Sequence, residues 1–248
     1  MGMSDPDVMN PPVRILLLDN SPRRLAGRWF SRGFRDQAGV EVVISHMIGG
    51  RWVKSLDSFS GVIISGSPAS ATDEEPWIAH ELNLIHEAVN RRLPLLGVCF
   101  GSQLLAFAFY GRDSIRRAER PEFGWHIVNR TRDDLLFENV PQSFNTFQYH
   151  MEEVVIQPGM EVLARNENSS IQAFRLGDMP VWGVQFHFEV TPQAGRDLLR
   201  RTQRVYQRFG LTYAEASRGA SPNPTTQPIL HNFIRTTQLF RGQGGSMG

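Results

Sequence analysis

A single cysteine stands between two glycines in the segment GVCFG, residues 97–101, where a strand-like apolar run meets a helix-like run. The flanking glycines permit a sharp strand-to-helix turn that lifts the cysteine side chain out at the head of a sheet. The N-terminus of the following helix would stabilise a thiolate. The segment therefore fits a nucleophile elbow with cysteine in place of serine. Taken alone, it fits a small buried residue in a tight turn equally well.

A histidine and a glutamate follow in the segment GVQFHFE, residues 183–189. If this segment is a strand, His187 and Glu189 share one face, because side chains two residues apart on a strand point the same way. The imidazole of His187 could then take the proton of the Cys99 thiol while the carboxylate of Glu189 orients the ring. A lone histidine is more often a hydrogen-bonded core residue. Together with the elbow, the pattern favours nucleophilic catalysis.

The elements that must position these residues alternate between strand and helix in the first half of the chain. The run VRILLLD, residues 13–19, is typical of a buried parallel strand. A capping box at Thr72 and Glu75 predicts that a helix begins at about residue 73. The alternation predicts a doubly wound, mostly parallel α/β sheet that binds ligands at the carboxyl ends of its strands. The predicted strands are 13–19, 40–47, 61–66 and 93–98, and the helices begin near 22 and cover 73–91 and 101–110.

The second half has shorter segments separated by turns, which predict an antiparallel extension of the sheet. A helix over 192–209 should end at Gly210, residues 211–227 are predicted to be a loop, and a short helix should cover 228–240. The expected organisation is a loosely ordered lead (1–12), one domain (13–240) and a flexible tail (241–248). The segments predicted as antiparallel strands are 124–131, 144–150, 152–158, 161–166, 171–177 and 179–189.

Composition excludes several classes of protein. With 248 residues, 41% of them hydrophobic, the chain can bury a sizeable core, and its net charge of +1 is too small for bulk attraction to nucleic acid or to an anionic membrane. One cysteine excludes an intrachain disulfide framework and multi-cysteine metal sites, and we predict no metal. The N-terminus lacks a secretory pattern, which predicts a cytoplasmic protein. The uncharged stretch 93–111 is interrupted by Pro94, Gly97 and Gly101, so we expect a buried turn and not a membrane span.

The chain resembles the class I (triad) glutamine amidotransferase family over residues 14–239. The resemblance implies a flavodoxin-like fold, with Cys99 as nucleophile, His187 as base and Glu189 as the group that orients it. It also implies an oxyanion hole made by the backbone N–H groups of Ser67 and Phe100. The matching segments, in the family's order, are SGSPAS, PWI, LLGVCFGSQLLA, EFGW, FQYH and GVQFHFEVTP.

The same resemblance implies which residues bind the substrate and where this chain departs from the family. The substrate-binding positions are Gly66, Gln103, His150, Met151 and Glu152. Ser102 replaces a histidine that is common in the family, which should affect packing beside the elbow. The stretch 151–153, Met-Glu-Glu, replaces a more usual His-Gly-Asp type, and this leaves the substrate open.

The predicted activity is cleavage of a γ-glutamyl amide through a cysteine thioester, with release of glutamate and ammonia and no cofactor. Glutamine is the favoured substrate. One alternative is a γ-glutamyl peptidase that acts on γ-glutamyl conjugates, and another is a non-catalytic binding or regulatory module. The chain is expected to be a free-standing amidase unit, and a synthetase partner is compatible with it. The ammonia acceptor, the partner and the oligomeric state stay open.

Overall fold

A computed structural model describes residues 12–35, 37–50 and 52–241. Within these residues nine strands form one sheet, in the order β2-β1-β3-β4-β9-β8-β7-β5-β6. The pairs from β2 to β9 are parallel and the pairs from β9 to β6 are antiparallel. The strands are β1 (Val13–Asp19), β2 (Val40–His46), β3 (Gly61–Ile64), β4 (Leu95–Val98), β5 (Ile115–Arg130), β6 (Ser143–Val154), β7 (Met160–Arg165), β8 (Ala173–Leu176) and β9 (Val181–Val184).

Helices cover both faces of the parallel half of the sheet. Along β1, Ile15 and Leu17 belong to the core on one face, while Leu16 and Leu18 belong to the core on the other. A strand buried on both faces has no polar side, which explains its continuous apolar sequence. The helices are α1 (Leu25–Phe34), α2 (Pro76–Asn90), α3 (Phe100–Tyr110), α4 (Pro192–Arg201), α5 (Gln203–Tyr206), α6 (Tyr213–Ala216) and α7 (Thr226–Arg241).

The doubly wound α/β architecture with an antiparallel extension is confirmed. The place of the 179–189 segment in it was predicted wrongly. Its strand is only β9, which pairs in parallel with β4 as well as antiparallel with β8, so it belongs to the central sheet. His187 forms an isolated antiparallel bridge with Phe147 of β6, and Glu189 lies in the turn just after it, so neither residue belongs to β9.

The predicted capping box at α2 is also wrong. The helix begins at Pro76, Glu75 is its N-cap without a side-chain capping bond, and the Thr72 hydroxyl instead lies 3.0 Å from that of Ser70. Proline at the first helical position fixes its own φ and disfavours helical geometry in the residue before it, so the helix cannot extend back to residue 73.

The C-terminal part differs from the predicted helix, loop and helix at three places. The predicted 192–209 helix is interrupted at Thr202, whose hydroxyl donates to the Leu198 carbonyl. The helical segment that follows ends as predicted at Gly210, which has φ 79°. The predicted loop 211–227 contains the short helix α6, which does carry a capping box between Thr212 and Glu215. Helix α7 begins at Thr226, two residues earlier than predicted.

The predicted lead (1–12) and tail (241–248) lie outside the described residues, apart from Pro12 and from Arg241, which ends α7. None of the helices in the described ranges is both long enough and apolar enough to cross a membrane.

Candidate active site

The segment GVCFG forms a strained turn at the carboxyl end of β4. Cys99 has φ 53° and ψ −108°, and α3 begins at the next residue. A Cβ on Gly97 would lie 2.3 Å from the Gly101 carbonyl oxygen, and one on Gly101 would lie 2.2 Å from the Ile64 carbonyl oxygen. Both glycines are therefore required by close backbone contact, as the sequence predicted. Strain of this kind at a strand-to-helix turn is characteristic of a nucleophile elbow.

His187 is held beside this turn by its backbone and its ring. Its N–H donates to the Phe147 carbonyl of β6 at 2.8 Å, and its Nδ1 lies 2.7 Å from Oε1 of Glu189. The turn after β9 thus brings the carboxylate to the ring, although the strand geometry that we expected is absent. Both side chains are buried, and so is Cys99, which is 5% exposed.

The electrostatics of the site favour a charged imidazole. Burial works against the charge of His187, but the charges of Glu189 and Cys99 and hydrogen bonds to both raise its pKa to about 10. The imidazole is therefore coupled to a carboxylate on one side and to a thiol on the other. A histidine that is coupled in this way to a carboxylate and to a thiol is the arrangement that activates a cysteine nucleophile.

Gly66 makes the closest approach to the pair. A Cβ on Gly66 would lie 2.8 Å from Cε1 of His187 and 3.5 Å from Cβ of Cys99. Its carbonyl accepts a bond from the Ser65 hydroxyl at 3.2 Å. Because the C=O and N–H of one trans peptide unit point in opposite directions, this bond turns the Ser67 N–H away from Ser65. Within the described chain, the N–H groups of Ser67 and Phe100 have no hydrogen-bond acceptor.

The remaining residues expected at the substrate lie on and around the end of β6. The side-chain amide of Gln103 is buried and donates to the Glu152 carbonyl at 2.9 Å and to Gln185 at 3.2 Å. The Glu152 carboxylate accepts from the Ser70 hydroxyl at 2.9 Å, which joins β6 to the loop after β3. Met151 is 40% exposed. Gln103 therefore holds the backbone of the segment that the sequence analysis assigned to substrate.

Ser102, on the first turn of α3, is hydrogen-bonded to the backbone of the elbow. Its hydroxyl donates to the Cys99 carbonyl at 2.8 Å, and it is buried. A Cβ on Gly183 of β9 would lie 2.9 Å from the Ser102 Cβ, so the space beside this position is small. Ser102 therefore lies in close contact with the elbow and β9, and the effect of this departure from the family on packing stays a prediction.

His150 is part of a buried polar cluster that sequence reasoning missed. Its Nδ1 lies 3.1 Å from the Glu152 carbonyl and its Nε2 lies 3.1 Å from the fully buried carboxylate of Glu122 in β5. Burial raises the pKa of Glu122, but the hydrogen bond and charge of His150, with His126 and Asn168, outweigh it and lower this pKa to about 2. The other donors to Glu122 are Asn166, Asn168 and Gln172.

Only part of this cluster had a signal in the sequence. Glu122 lies in the EFGW segment that the resemblance singled out, whereas its amide donors lie on a turn 44 to 50 residues away. Polar residues on an irregular turn have no periodic pattern, so nothing in the sequence joined them to Glu122. Within the described residues, no group of three histidine, cysteine or acidic side chains could hold a metal ion.

The fold and the site together define an α/β protein with a cysteine elbow and a histidine–carboxylate pair at the carboxyl ends of parallel strands. The sequence profile described as "Glutamine amidotransferase class-I" matches residues 36–203. The chain belongs to the class I glutamine amidotransferase family.

Individual relatives agree with this assignment. One subunit of a glutamine-hydrolyzing GMP synthase, from Methanocaldococcus jannaschii, is 35% identical over 155 residues, which cover 62% of this chain and 77% of the relative. The protein of the same name from Picrophilus torridus is 31% identical over 180 residues, which cover 72% of this chain and 90% of that relative. The crystal structure of a glutamine amidotransferase from Thermotoga maritima shares the fold, with a TM-score of 0.76, 21% identity and coverage of 91% of this chain and 97% of that one.

Proposed function

We propose that the protein hydrolyses the γ-amide of glutamine through a thioester on Cys99. The observation that carries the proposal is the His187–Glu189 bond of 2.7 Å beside a cysteine on a strained elbow. The names of the relatives from Methanocaldococcus jannaschii and Picrophilus torridus describe subunits of a glutamine-hydrolysing enzyme, which supports the same substrate for this chain.

The proposed reaction has two halves. The Cys99 thiolate attacks the amide carbonyl, and the N–H groups of Ser67 and Phe100 stabilise the oxyanion that forms. The His187 imidazolium gives its proton to the leaving nitrogen, so the C–N bond breaks and ammonia departs from an S-acyl enzyme. Neutral His187 then takes a proton from water, the resulting hydroxide attacks the thioester, and the thiol and glutamate are released. Glu189 orients the ring and stabilises its charge throughout.

Steady-state release of glutamate from glutamine by the purified chain tests the proposal. Cys99→Ala should abolish turnover, and a glutamine-shaped electrophile should add once, at Cys99, by peptide mass spectrometry. His187→Ala should lose several powers of ten in kcat, since groups that act as a unit are lost together. An active Cys99→Ala protein would refute the covalent mechanism.

A second substrate class is favoured by one observation, the exposed side chain of Met151 in the segment assigned to substrate. An exposed thioether there could contact the apolar leaving group of a γ-glutamyl peptide or amine, which glutamine lacks. The same assay should therefore include γ-glutamyl peptides and γ-glutamyl amines. A higher kcat/KM for these compounds than for glutamine, lost in Met151→Gly, would assign the protein as a γ-glutamyl peptidase.

We also propose that a synthetase that consumes ammonia is the partner, as the names of the relatives suggest, and that the isolated chain is nevertheless active. Pro68 fixes its own φ and disfavours helical geometry at Ser67, while Ser65 holds the Gly66 carbonyl at 3.2 Å. Both features support an oxyanion donor that is assembled without a partner. Negligible turnover of every γ-glutamyl substrate, restored by added synthetase, would overturn the self-sufficient activity.

A further inference from the structure

Helix α2 carries a buried glutamate whose side chain has no charged partner among the described residues. Glu81 is fully buried, and its Oε2 accepts a hydrogen bond from Nδ2 of Asn20 at 3.1 Å. The other oxygen of each group, Oε1 of Glu81 and Oδ1 of Asn20, is buried and has no hydrogen-bond partner in the described part of the chain. A buried ionised carboxylate with one donor would be strongly destabilising. The two unpartnered oxygens therefore need an explanation.

A protonated carboxyl group satisfies both atoms at once. An amide and a carboxylic acid can join in a ring of two hydrogen bonds, in which the amide N–H donates to one oxygen and the acid O–H donates to the amide oxygen. The Asn20–Glu81 bond is one half of such a ring. A proton on Oε1 of Glu81, donated to Oδ1 of Asn20, supplies the other half and leaves neither group unsatisfied.

Asn20 connects this pair to the loop after β3. Its backbone N–H donates to the Ser65 hydroxyl at 2.9 Å, and that hydroxyl donates to the Gly66 carbonyl at 3.2 Å. The Gly66 carbonyl and the Ser67 N–H belong to one planar peptide unit, so fixing the first directs the second. A continuous set of contacts thus leads from α2 to the N–H group that faces the oxyanion in the proposed reaction.

We propose that neutral Glu81 is a positioning residue, which closes a two-bond ring with Asn20 and thereby holds Ser65 and aims the Ser67 N–H at the substrate carbonyl. The inference rests on the proposed function, because the oxyanion exists only if Cys99 attacks an amide. Ionisation of Glu81 would remove one bond of the ring and set a carboxylate oxygen against the Asn20 carbonyl. The oxyanion donor would then lose its support.

The surroundings of Glu81 agree with a neutral carboxyl. Burial raises its pKa to about 8, and the Asn20 bond opposes this only in part. The carboxylate of Asp19, the neighbour of Asn20, lies on the side of α1, where it accepts from Gly27. On α2 itself, His80 bonds to the Val53 carbonyl and Glu87 pairs with Arg91.

In the described residues, the strands and the helix packed on this side bring no charged side chain to Glu81. Strands β3 and β4 contain no ionisable side chain, and in α3 the single ionisable group is Tyr110 at its far end. Among the described residues, the loop between β2 and β3 contributes Lys54 and Asp57, and the loop after β3 contributes the acids of 73–75, all of them exposed. In the part of the chain that the structure describes, the other acid bound to the loop after β3 from another element is Glu152, which accepts from the Ser70 hydroxyl at 2.9 Å and does not contact the Asn20–Ser65–Gly66 path.

The pH dependence of kcat in Glu81→Gln tests the inference, because glutamine can make the same two-bond ring but cannot ionise. Wild type and Glu81→Gln should have equal kcat below about pH 7.5. Above about pH 8, the kcat of wild type should fall relative to that of the variant by up to about tenfold per pH unit. The KM of both proteins should change little. Glu74→Gln, an exposed acid before the same helix, should follow wild type. Titration of His187 affects all three proteins and cancels in the ratio.

Two measurements separate this inference from the proposed function. In wild type labelled with ¹³C at glutamate carboxyls, one resonance that is absent from Glu81→Gln should titrate near pH 8, whether or not the protein turns over glutamine. Titration of that resonance below pH 6, or superimposable kcat profiles in active proteins, would refute the role of Glu81 and leave the function standing. No turnover of glutamine by either protein at any pH, with or without an added synthetase, would refute the function, and the positioning role with it. If Glu81→Gln does not fold, the wild type decides the question: a glutamate carboxyl resonance that titrates at the same pH at which kcat falls supports the role of Glu81, and the absence of any such resonance refutes it.

Discussion

Because Gly66 has no Cβ, the ring of His187 can lie close to its backbone. A Cβ at this position would lie 2.8 Å from Cε1 of His187, closer than real Cβ contacts allow. We expect Gly66→Ala to displace the imidazole and lower kcat for glutamate release at least about tenfold, since small misplacements of reacting groups are costly. Ser67→Ala is the matched control, because the proposed role of Ser67 uses only its backbone N–H. A Gly66→Ala protein as active as Ser67→Ala would contradict this packing argument.

We expect Glu189 to act through the charge of His187. A histidine with a raised pKa contributes stability that is fully present below its unfolded pKa of about 6.5 and is lost as pH rises through its folded value, here about 10. Glu189→Gln removes one charge that raises this pKa, so the imidazolium is less stable beside Cys99. We predict that the rate of Cys99 alkylation by iodoacetamide near pH 7 falls about tenfold or more.

The alkylation experiment has a simple control. Glu167→Gln changes an exposed acid on a surface turn and should react at the wild-type rate. An unchanged alkylation rate in Glu189→Gln would show that the carboxylate does not govern the charge of the site. The loss in Glu189→Gln should stay smaller than in His187→Ala, because Glu189 orients the ring and transfers no proton.

At the scale of elements, the packing of α3 on β3 depends on a glycine. A Cβ added at Gly101 of α3 would lie 2.2 Å from the Ile64 carbonyl oxygen. A Cβ added at Gly33 of α1 would lie 2.3 Å from Cδ1 of Leu230, which is the end of a flexible side chain. Alanine in a helix gains about 1 kcal/mol over glycine. Gly33→Ala should therefore be nearly neutral because Leu230 can move, whereas Gly101→Ala should lose about 1–3 kcal/mol or more of unfolding free energy. Equal losses in urea unfolding would contradict this.

The cluster around Glu122 joins β5, β6 and the turn after β7. An acid with a lowered pKa contributes stability that is present above its unfolded pKa and is lost as pH falls through its folded value, here about 2. For this buried group the contribution is about 3 kcal/mol, from 1.36 kcal/mol for each pKa unit. We predict that Glu122→Gln loses about this amount of unfolding free energy at neutral pH. The difference in unfolding free energy between the variant and wild type should become smaller below about pH 4.5.

Urea unfolding at neutral pH and at pH about 3 measures the Glu122 prediction, in the range where the charged form is being lost. Glu119→Gln is the matched control, since this acid of β5 has a side chain that is 81% exposed. If the difference in unfolding free energy between wild type and Glu122→Gln does not depend on pH, the charge of Glu122 does not stabilise the cluster. Because His150 is bound to Glu122, the variant should also raise KM for glutamine.

For the molecule as a whole, α7 belongs to the folding unit although it lies outside the profile match of residues 36–203. Its Phe233 is fully buried in the same core as α1 and β1, whereas Leu239 is 52% exposed. We expect Phe233→Ala to cost about 3–5 kcal/mol of unfolding free energy, as large-to-small changes in cores do. Leu239→Ala should cost a small fraction of that. Comparable midpoints in urea for the two variants would mean that α7 folds as a separate appendage.

The sequence by itself determined the features that depend on neighbouring residues. The elbow was predictable because its glycines, its cysteine and the start of α3 are contiguous, so one short segment carries the whole geometry. The parallel half was predictable because strands buried on both faces must be apolar throughout. The spacing of His187 and Glu189 predicted that the two side chains meet, and they do, although the segment that carries them was taken for a strand.

Tertiary structure alone decided which distant groups meet. Asn20 and Glu81 are 61 residues apart, and Glu122 is 44 to 50 residues from its amide donors. Hydrogen bonds between such groups leave no periodic trace in the chain, because their partners are chosen by the packing of the sheet and not by local geometry. For the same reason β9 could not be placed beside β4 from its sequence. A short apolar run fits a strand of either direction, and only the completed sheet selects its neighbours.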